Sequence, residues 1–320
     1  MPNYKILSRR DFLKLAGAGA ASALLSACTR KPSQEATAEP GAAAPQITPS
    51  PIPTSTEPLP VEPLFPTNMV LVEAGSFEMG AADGRPKEQP VHIVQISHSF
   101  YINPYMVTFD EYERFLKYAR GKGITPPNDL GFGRDQRPVF WIKWFHAIAY
   151  CNWLSESAGL RPCYGGTGKI VEWDIQADGY RLATEAEWEY AARGGPLSQG
   201  YLYAGSNNPG EVGWYGANSS DQTHPVGQKK PNELGLYDMS GNIWEWCWDW
   251  FRPDYYAESP AKDPLGPDSA QEMQGIAPLD AEKVRRGGDW GELAEHLRVS
   301  ARSADLASYP VAGIRLVRNA

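Results

Sequence analysis

From Trp244 to Trp250 an indole falls on every second residue, with Glu245, Cys247 and Asp249 between them. A period of two is that of an extended strand, whose neighbouring side chains leave on opposite faces. One face of this strand carries four indoles and is expected to be a core wall. The other carries two carboxylates and a thiol, and needs a separate reason. Residues 91–96 (VHIVQI) alternate similarly and predict another strand. Elsewhere the period lengthens. Thr108 and Glu111 form a capping box ahead of the stripe Phe109, Tyr112, Phe115, Leu116 and Ala119, which predicts a helix. A second helix is expected over residues 145–158, stopping at Gly159. A third opens at the capping box of Thr184 and Glu187 and ends at Gly194 and Gly195. Beyond it, short apolar pieces punctuate long Gly-, Pro- and Asn-rich stretches. The pattern predicts an α+β domain, loop-rich with few short helices and strands, and contains no internal repeat.

Composition narrows this picture. The 320 residues are 42% hydrophobic and 12% aromatic, enough to bury a core without requiring more than one large domain. Eleven Trp, 31 Gly and 28 Pro suit ordered loops pinned by aromatic anchors, not a helical bundle. The net charge is −8 and no basic patch emerges, which argues against nucleic acid as a partner.

The polar and apolar pattern changes character before residue 65. Ser8, Arg9, Arg10, Asp11, Phe12, Leu13 and Lys14 read as a twin-arginine export signal, followed by a weakly apolar run over residues 15–27. That run is too short to span a bilayer. It ends in Leu25, Ser26, Ala27 and Cys28, which looks like a lipobox, with Cys28 lipidated and left as the mature N-terminus. An ordinary cleavable signal with an incidental cysteine is the alternative. Cleavage takes four basic residues and one acidic residue off the net −8 and leaves −11. Residues 28–64 follow as a tether: residues 29–63 hold nine prolines and no aromatic side chain, and cannot bury enough to fold. Such a segment reaches about 35 Å as a coil and about 110 Å as polyproline II. The expected organisation is a signal over residues 1–27, a lipidated tether over 28–64 and a folded domain over 65–320. This places the protein outside the cytoplasmic membrane or in the cell envelope, held to a membrane by lipid. Twin-arginine export carries folded cargo, so Cys151, Cys163 and Cys247 are expected as packed side chains, at least one of them free.

Familiar catalytic patterns are missing. His92, His98, His146, His224 and His296 sit in no HExxH-like spacing, and there is no CxxC pair. The glycines around Gly165 do not follow a strand as a phosphate loop would, and GxSxG does not occur.

Several runs, in order, carry a resemblance. They are residues 69–80 (MVLVEAGSFEMG), Arg137-Pro138-Val139 leading to 149–153 (AYCNW), 180–194 (YRLATEAEWEYAARG) and 231–246 (PNELGLYDMSGNIWEW). Arg286-Gly287-Gly288, Ala301-Arg302-Ser303 and Gly313-Ile314-Arg315 complete the set. Together they resemble the formylglycine-generating enzyme, or sulfatase-modifying factor, family, whose domain is a variant of the C-type lectin fold. The resemblance covers residues 65–320. It implies a calcium ion held by Asp238, the carbonyls of Gly241 and Ile243, and Glu245, oxygen ligands that suit this cation. The alternative is that Glu245 accepts backbone N–H groups or pairs with an arginine.

One departure governs the function. Oxidases of this family follow Arg-Gly-Gly with two cysteines that hold copper(I). Here residues 286–298 (RGGDWGELAEHLR) contain none, and carboxylates do not suit a soft cation. No copper is therefore expected. Glu292, Glu295 and His296 could form another centre or an acid/base pair, but read first as a polar loop. Two functions remain. The first is a non-catalytic binding module that takes a protein or glycan ligand at the envelope. The resemblance extends to variable receptors, which use the interval matching residues 289–312, with Trp290, Glu292, Glu295, His296, Asp305 and Tyr309 as contact candidates. Trp290 could equally be a core anchor. The second is a sulfatase-maturing oxidase or another oxidoreductase on the same fold. A weaker third is an envelope subunit assisting a transporter or kinase system.

Overall fold

A computed structural model describes residues 66, 68–166, 171–267 and 281–320. The export signal, the tether and their Arg9, Arg10 and Cys28 lie outside the described residues. Short strands dominate. β1 (Val70–Val72), β4 (Phe100–Ile102) and β10 (Val317–Asn319) form one antiparallel sheet with β4 central, pairing Val70 and Val317 each with Ile102. This joins the two ends of the described region. β2 (Gly75–Met79) and β3 (His92–Ile96) form a hairpin, β5 (Tyr164–Gly165) pairs with β6 (Glu172–Trp173), and β7 (Glu245–Trp250), β8 (Glu282–Arg286) and β9 (Arg302–Leu306) form a third sheet.

The helices follow the sequence pattern closely. α1 (Phe109–Tyr118) and α3 (Glu185–Ala192) both begin with complete capping boxes, at Thr108/Glu111 and Thr184/Glu187. α2 (Trp144–Ser157) lies between them in the chain, and α4 (Pro209–Val212) is a single turn. The two capped helices have different fates. α1 buries Tyr112 and Phe115 against Tyr150 and Trp153 of α2 and Phe109 against Phe140, and leaves its other face wet. α3 is buried at all eight positions, its three glutamates included.

The core forms two large clusters. One holds α1, α2 and the indoles of Trp244 and Trp246. The other surrounds α3 with Val72, Val94, Phe100 and Cys247. β7 runs between them, which explains its alternation. Its even positions face the first cluster, where Trp246 Nε1 donates to Ile142 O at 3.0 Å and Trp144 Nε1 donates to Cys247 O at 2.9 Å. The odd positions face α3 and are all buried. Glu245 accepts from Trp188 Nε1 at 2.7 Å, and Asp249 accepts the backbone N–H of Glu185, the first residue of α3, also at 2.7 Å. The second face is thus an interior polar seam that caps and anchors a helix.

The indole wall differs from a plain apolar surface at its end. Trp248 and Trp250 are only partly buried. With Trp144 they enclose Lys283 Nζ, at 4.7, 3.6 and 4.0 Å from the respective ring centres. Lys283 is fully buried and donates to Trp248 O at 2.6 Å, so π faces and one carbonyl replace its water. Burial holds its amine well below the usual lysine range.

Candidate functional site

Arginines neutralise the glutamates of α3. Glu185 takes Arg302 through two bonds of 2.7 and 2.6 Å, and Glu187 takes Arg181 through bonds of 2.8 and 2.7 Å. Glu189 pairs with Arg193 at 2.6 Å and with Arg286. On β7, Glu245 takes Arg315 at 2.7 Å. Every arginine here comes from a run that carried the family resemblance, so the motifs are largely one buried ionic framework. Burial disfavours the Glu187 carboxylate, but Arg181 and His98 outweigh it and bring the group down to about 2.

This framework fixes where residues 289–312 lie. β8 ends at Arg286, and Gly287 and Gly288 turn the chain with φ of 99° and 80°. A Cβ on Gly288 would stand 2.9 Å from both His296 O and Leu297 Cδ1, so only glycine fits this left-handed turn. The chain then makes a 3-10 turn at Ala294–His296 and returns as β9. Within it, His296 Nδ1 stands 2.5 Å from Glu292 Oε2, and Glu295 pairs with Arg85 at 2.5 Å.

The sequence candidates do not form one constellation. Glu292 and His296 line a small cavity of about 40 Å³ that opens to solvent, together with Arg85, Lys87, Glu88, Trp244, Arg302 and Ser303. Glu295 lines a wider neighbouring hollow with Asp83, Tyr203 and Arg298. Trp290 is half-buried, its ring edge-on to Phe132 at 5.1 Å, and its carbonyl accepts from Ser219 Oγ, so it acts partly as an anchor. Asp305 faces Arg285 at 3.7 Å. Tyr309 is 56% exposed and Leu293 67%. The sequence pattern did not reveal Lys87 and Glu88, which sit in a 3-10 turn at Pro86–Glu88 some 200 residues upstream. Trp244, Arg302 and Ser303 were visible as motif residues, but nothing in their spacing pointed to a cavity.

The calcium candidates lie in a loop where Asp238, Gly241 and Asn242 all have positive φ (56°, 97° and 68°). A Cβ on Gly241 would meet Trp214 O at 2.3 Å. Burial pushes the Asp238 carboxyl up to about 6, with Glu245 adding to the shift. Asp238 Oδ2 accepts the Gly227 N–H at 2.8 Å, and its other oxygen has only a 3.5 Å contact from Asn242. Among the described residues, the carbonyls of Gly241 and Ile243 receive no hydrogen bond. These three groups suit an oxygen-seeking cation. Glu245 fits it less well, because Arg315 and Trp188 already occupy both its oxygens. Among the described residues no three His, Cys, Asp or Glu side chains gather as a metal cluster, so an ion here would lean on carbonyls.

Cys151, Cys163 and Cys247 are free and buried, and none lines the cavity. Burial pushes all three thiols up, Cys163 to about 11, away from the thiolate that a soft metal needs.

The family profile for the sulfatase-modifying factor enzyme 1-like domain matches residues 55–320. The chain belongs to that family. A twin-arginine translocation signal matches residues 7–26, so this sulfatase-modifying-factor protein is exported by that route. It is similar to Chaperone protein LppX of Paenibacillus barcinonensis, with 38% identity over 215 residues covering 57% of this chain and 71% of the relative. The formylglycine-generating enzyme of Streptomyces coelicolor is 36% identical over 188 residues, which is 54% of this chain and about half (49%) of that enzyme. Among solved structures, Treponema denticola variable protein 1 superposes with a TM-score of 0.65 at 30% identity, covering 79% of this chain and 95% of the other. Among the described residues no helix is long and apolar enough to cross a membrane.

Proposed function

We propose that this protein is a non-catalytic binding module, anchored at the cell envelope through lipid on Cys28, that holds a ligand with the surface built by residues 289–312. The observation that carries this reading is the lining of the cavity beside that segment: ion pairs, an indole and a hydroxyl, with no thiol to hold copper(I). The family's oxidase chemistry would need a different centre here. Exposed Leu293 and Tyr309, set on a backbone fixed by buried arginines, give the segment the rigid support and apolar tips of a contact surface. Similarity to a protein named as a chaperone and to one named as a variable protein favours a protein ligand over a glycan. Calcium belongs to the same reading as a structural ion on Asp238 and the carbonyls of Gly241 and Ile243, with Glu245 shared between it and Arg315.

Two measurements test this. The full chain, incubated with copper, reductant and a CxPxR peptide, is expected to yield no aldehyde; aldehyde above background favours the oxidase, the second reading that the formylglycine-generating relatives support. A photocrosslinking residue at position 309 is expected to trap an envelope protein that the same residue at position 118, exposed on α1, does not. Equal trapping at both positions would remove the segment from the binding surface.

A further inference from the structure

Resting on the binding reading above, the cavity that Glu292 and His296 line has a chemistry of its own. Its acids are already satisfied. Glu88 is buried and holds Arg298 through bonds of 3.0 and 2.7 Å and the Ser300 hydroxyl at 3.0 Å. Glu292 holds His296. Two of its cations are matched as well: Arg302 by Glu185 and Arg85 by Glu295.

The remaining polar groups are donors without acceptors. Trp244 is 3% exposed, and its indole N–H has no hydrogen-bond partner among the described residues. A buried, unpaired N–H of this kind is costly and rare. Lys87 makes no salt bridge among the described residues. Burial and the neighbouring Arg85 and Arg302 hold its amine below the usual lysine range against the pull of Glu88, so a negative charge at this point would match Lys87. The Ser303 hydroxyl on β9 makes no hydrogen bond among the described residues either. His296 Nε2 is also unsatisfied, with Glu295 Oε1 no nearer than 3.6 Å. One strand, one 3-10 turn and the loop before β7 thus bring an indole, an ammonium and a hydroxyl to a space of about 40 Å³, room for about three waters or one carboxylate group.

We infer that this cavity receives the carboxylate group of the ligand, with Lys87 supplying the charge and Trp244 and Ser303 the hydrogen bonds. A neutral group of the same shape leaves Lys87 unmatched.

The test uses the full chain with 15N-labelled tryptophan indoles and acetate as the probe. One indole resonance, missing from Trp244→Phe, is expected to move on adding acetate and to stay still with acetamide. Lys87→Met, which keeps the length of the stem, is expected to weaken acetate binding by about tenfold or more, as loss of a charge-assisted bond does. N-acetyl-glutamate amide and glucuronate, titrated against the same resonance, distinguish a peptide from a sugar as the carrier. Should Trp244→Phe fail to fold, calorimetric titration of acetate into the wild type and Lys87→Met decides alone. No response to acetate, an equal response to acetamide, or undiminished affinity in Lys87→Met overturns the proposal. Failure here with crosslinking at position 309 intact removes the cavity and leaves the surface reading standing. Loss of that crosslink with acetate binding intact does the opposite.

Discussion

Helix α3 and the cavity beside residues 289–312 are built from the same kinds of charged side chain, and they differ in whether the charges are matched. Around α3, Glu185, Glu187 and Glu189 each meet an arginine in two-point or multiple contacts, with both partners out of water. In the cavity, the buried indole N–H of Trp244 has no acceptor among the described residues, and the partly buried Lys87 and Ser303 line the same space. A buried ion pair is not a strong source of net stability, since desolvation cancels much of the Coulomb gain. Its effect is to make alternative arrangements costly, which holds the motif segments in one geometry. A buried donor left open has the opposite meaning: it is a cost of folding that a ligand can remove. Matched charge here marks structure, and unmatched charge marks a place for a ligand.

The sharpest way to break this comparison is to unmatch a framework pair. Arg315→Met leaves Glu245 buried with only the Trp188 indole, and is expected to destabilise the protein by about 3–5 kcal/mol in urea titrations. Adding Glu245→Gln should recover part of that loss; an Arg315→Met protein of wild-type stability would mean that the framework is not under load.

Next in size is Asp238. Its folded pKa is raised from 3.8 to about 6, so its favourable contribution is complete below pH 3.8 and is lost as the pH rises through 6. Asp238→Asn is therefore expected to stabilise the calcium-free protein at pH 7 by about 1–3 kcal/mol. It should also abolish any rise in melting temperature that calcium gives the wild type. A chelator that leaves the wild-type melting temperature unchanged would remove the ion.

His98 sits between the two regimes, half-exposed at the edge of the framework, with Nε2 3.1 Å from Glu187 and Nδ1 3.5 Å from Asp263. The hydrogen bond to Glu187 raises its pKa above 6.5. Its contribution is present below pH 6.5 and is lost as the pH climbs through the raised value. His98→Gln is expected to flatten that part of the pH profile of thermal unfolding, with a small change in melting temperature because solvent screens the group. At the far end of the scale, Tyr309→Ala and Leu293→Ser should alter stability by no more than about 0.5 kcal/mol, and Tyr309→Ala should still reduce ligand retention.

How far the chain could be read without coordinates depends on how local each signal is. Both capping boxes, the alternating run at 91–96 and the limits of α2 were legible, because helix caps and strand alternation involve neighbours within a few residues. The two carboxylates and the thiol of β7 were legible as a second face, but not as a seam against α3. Nothing in that run names Trp188 or Glu185 as partners. The candidates at 289–312 were placed on one segment, yet only Glu292 and His296 reach the cavity. Trp290 turns to Phe132, and Asp305 to Arg285. Lys87 was invisible, since a lysine in a polar turn carries no pattern.

Sequence by itself determined the family, the twin-arginine export signal, the starts of α1, α2 and α3 and the absence of a cysteine pair after Arg286-Gly287-Gly288. Those are composition and short-range order, which the chain carries whether folded or not. Only the tertiary structure decided which charges meet. Arg302 reaches Glu185 across 117 residues, Arg298 reaches Glu88 across 210, and Lys87 makes no salt bridge among the described residues. Pairing depends on distances that close only when the two cores pack. The matched framework and the open cavity are therefore properties of the fold, written in residues that look alike along the chain.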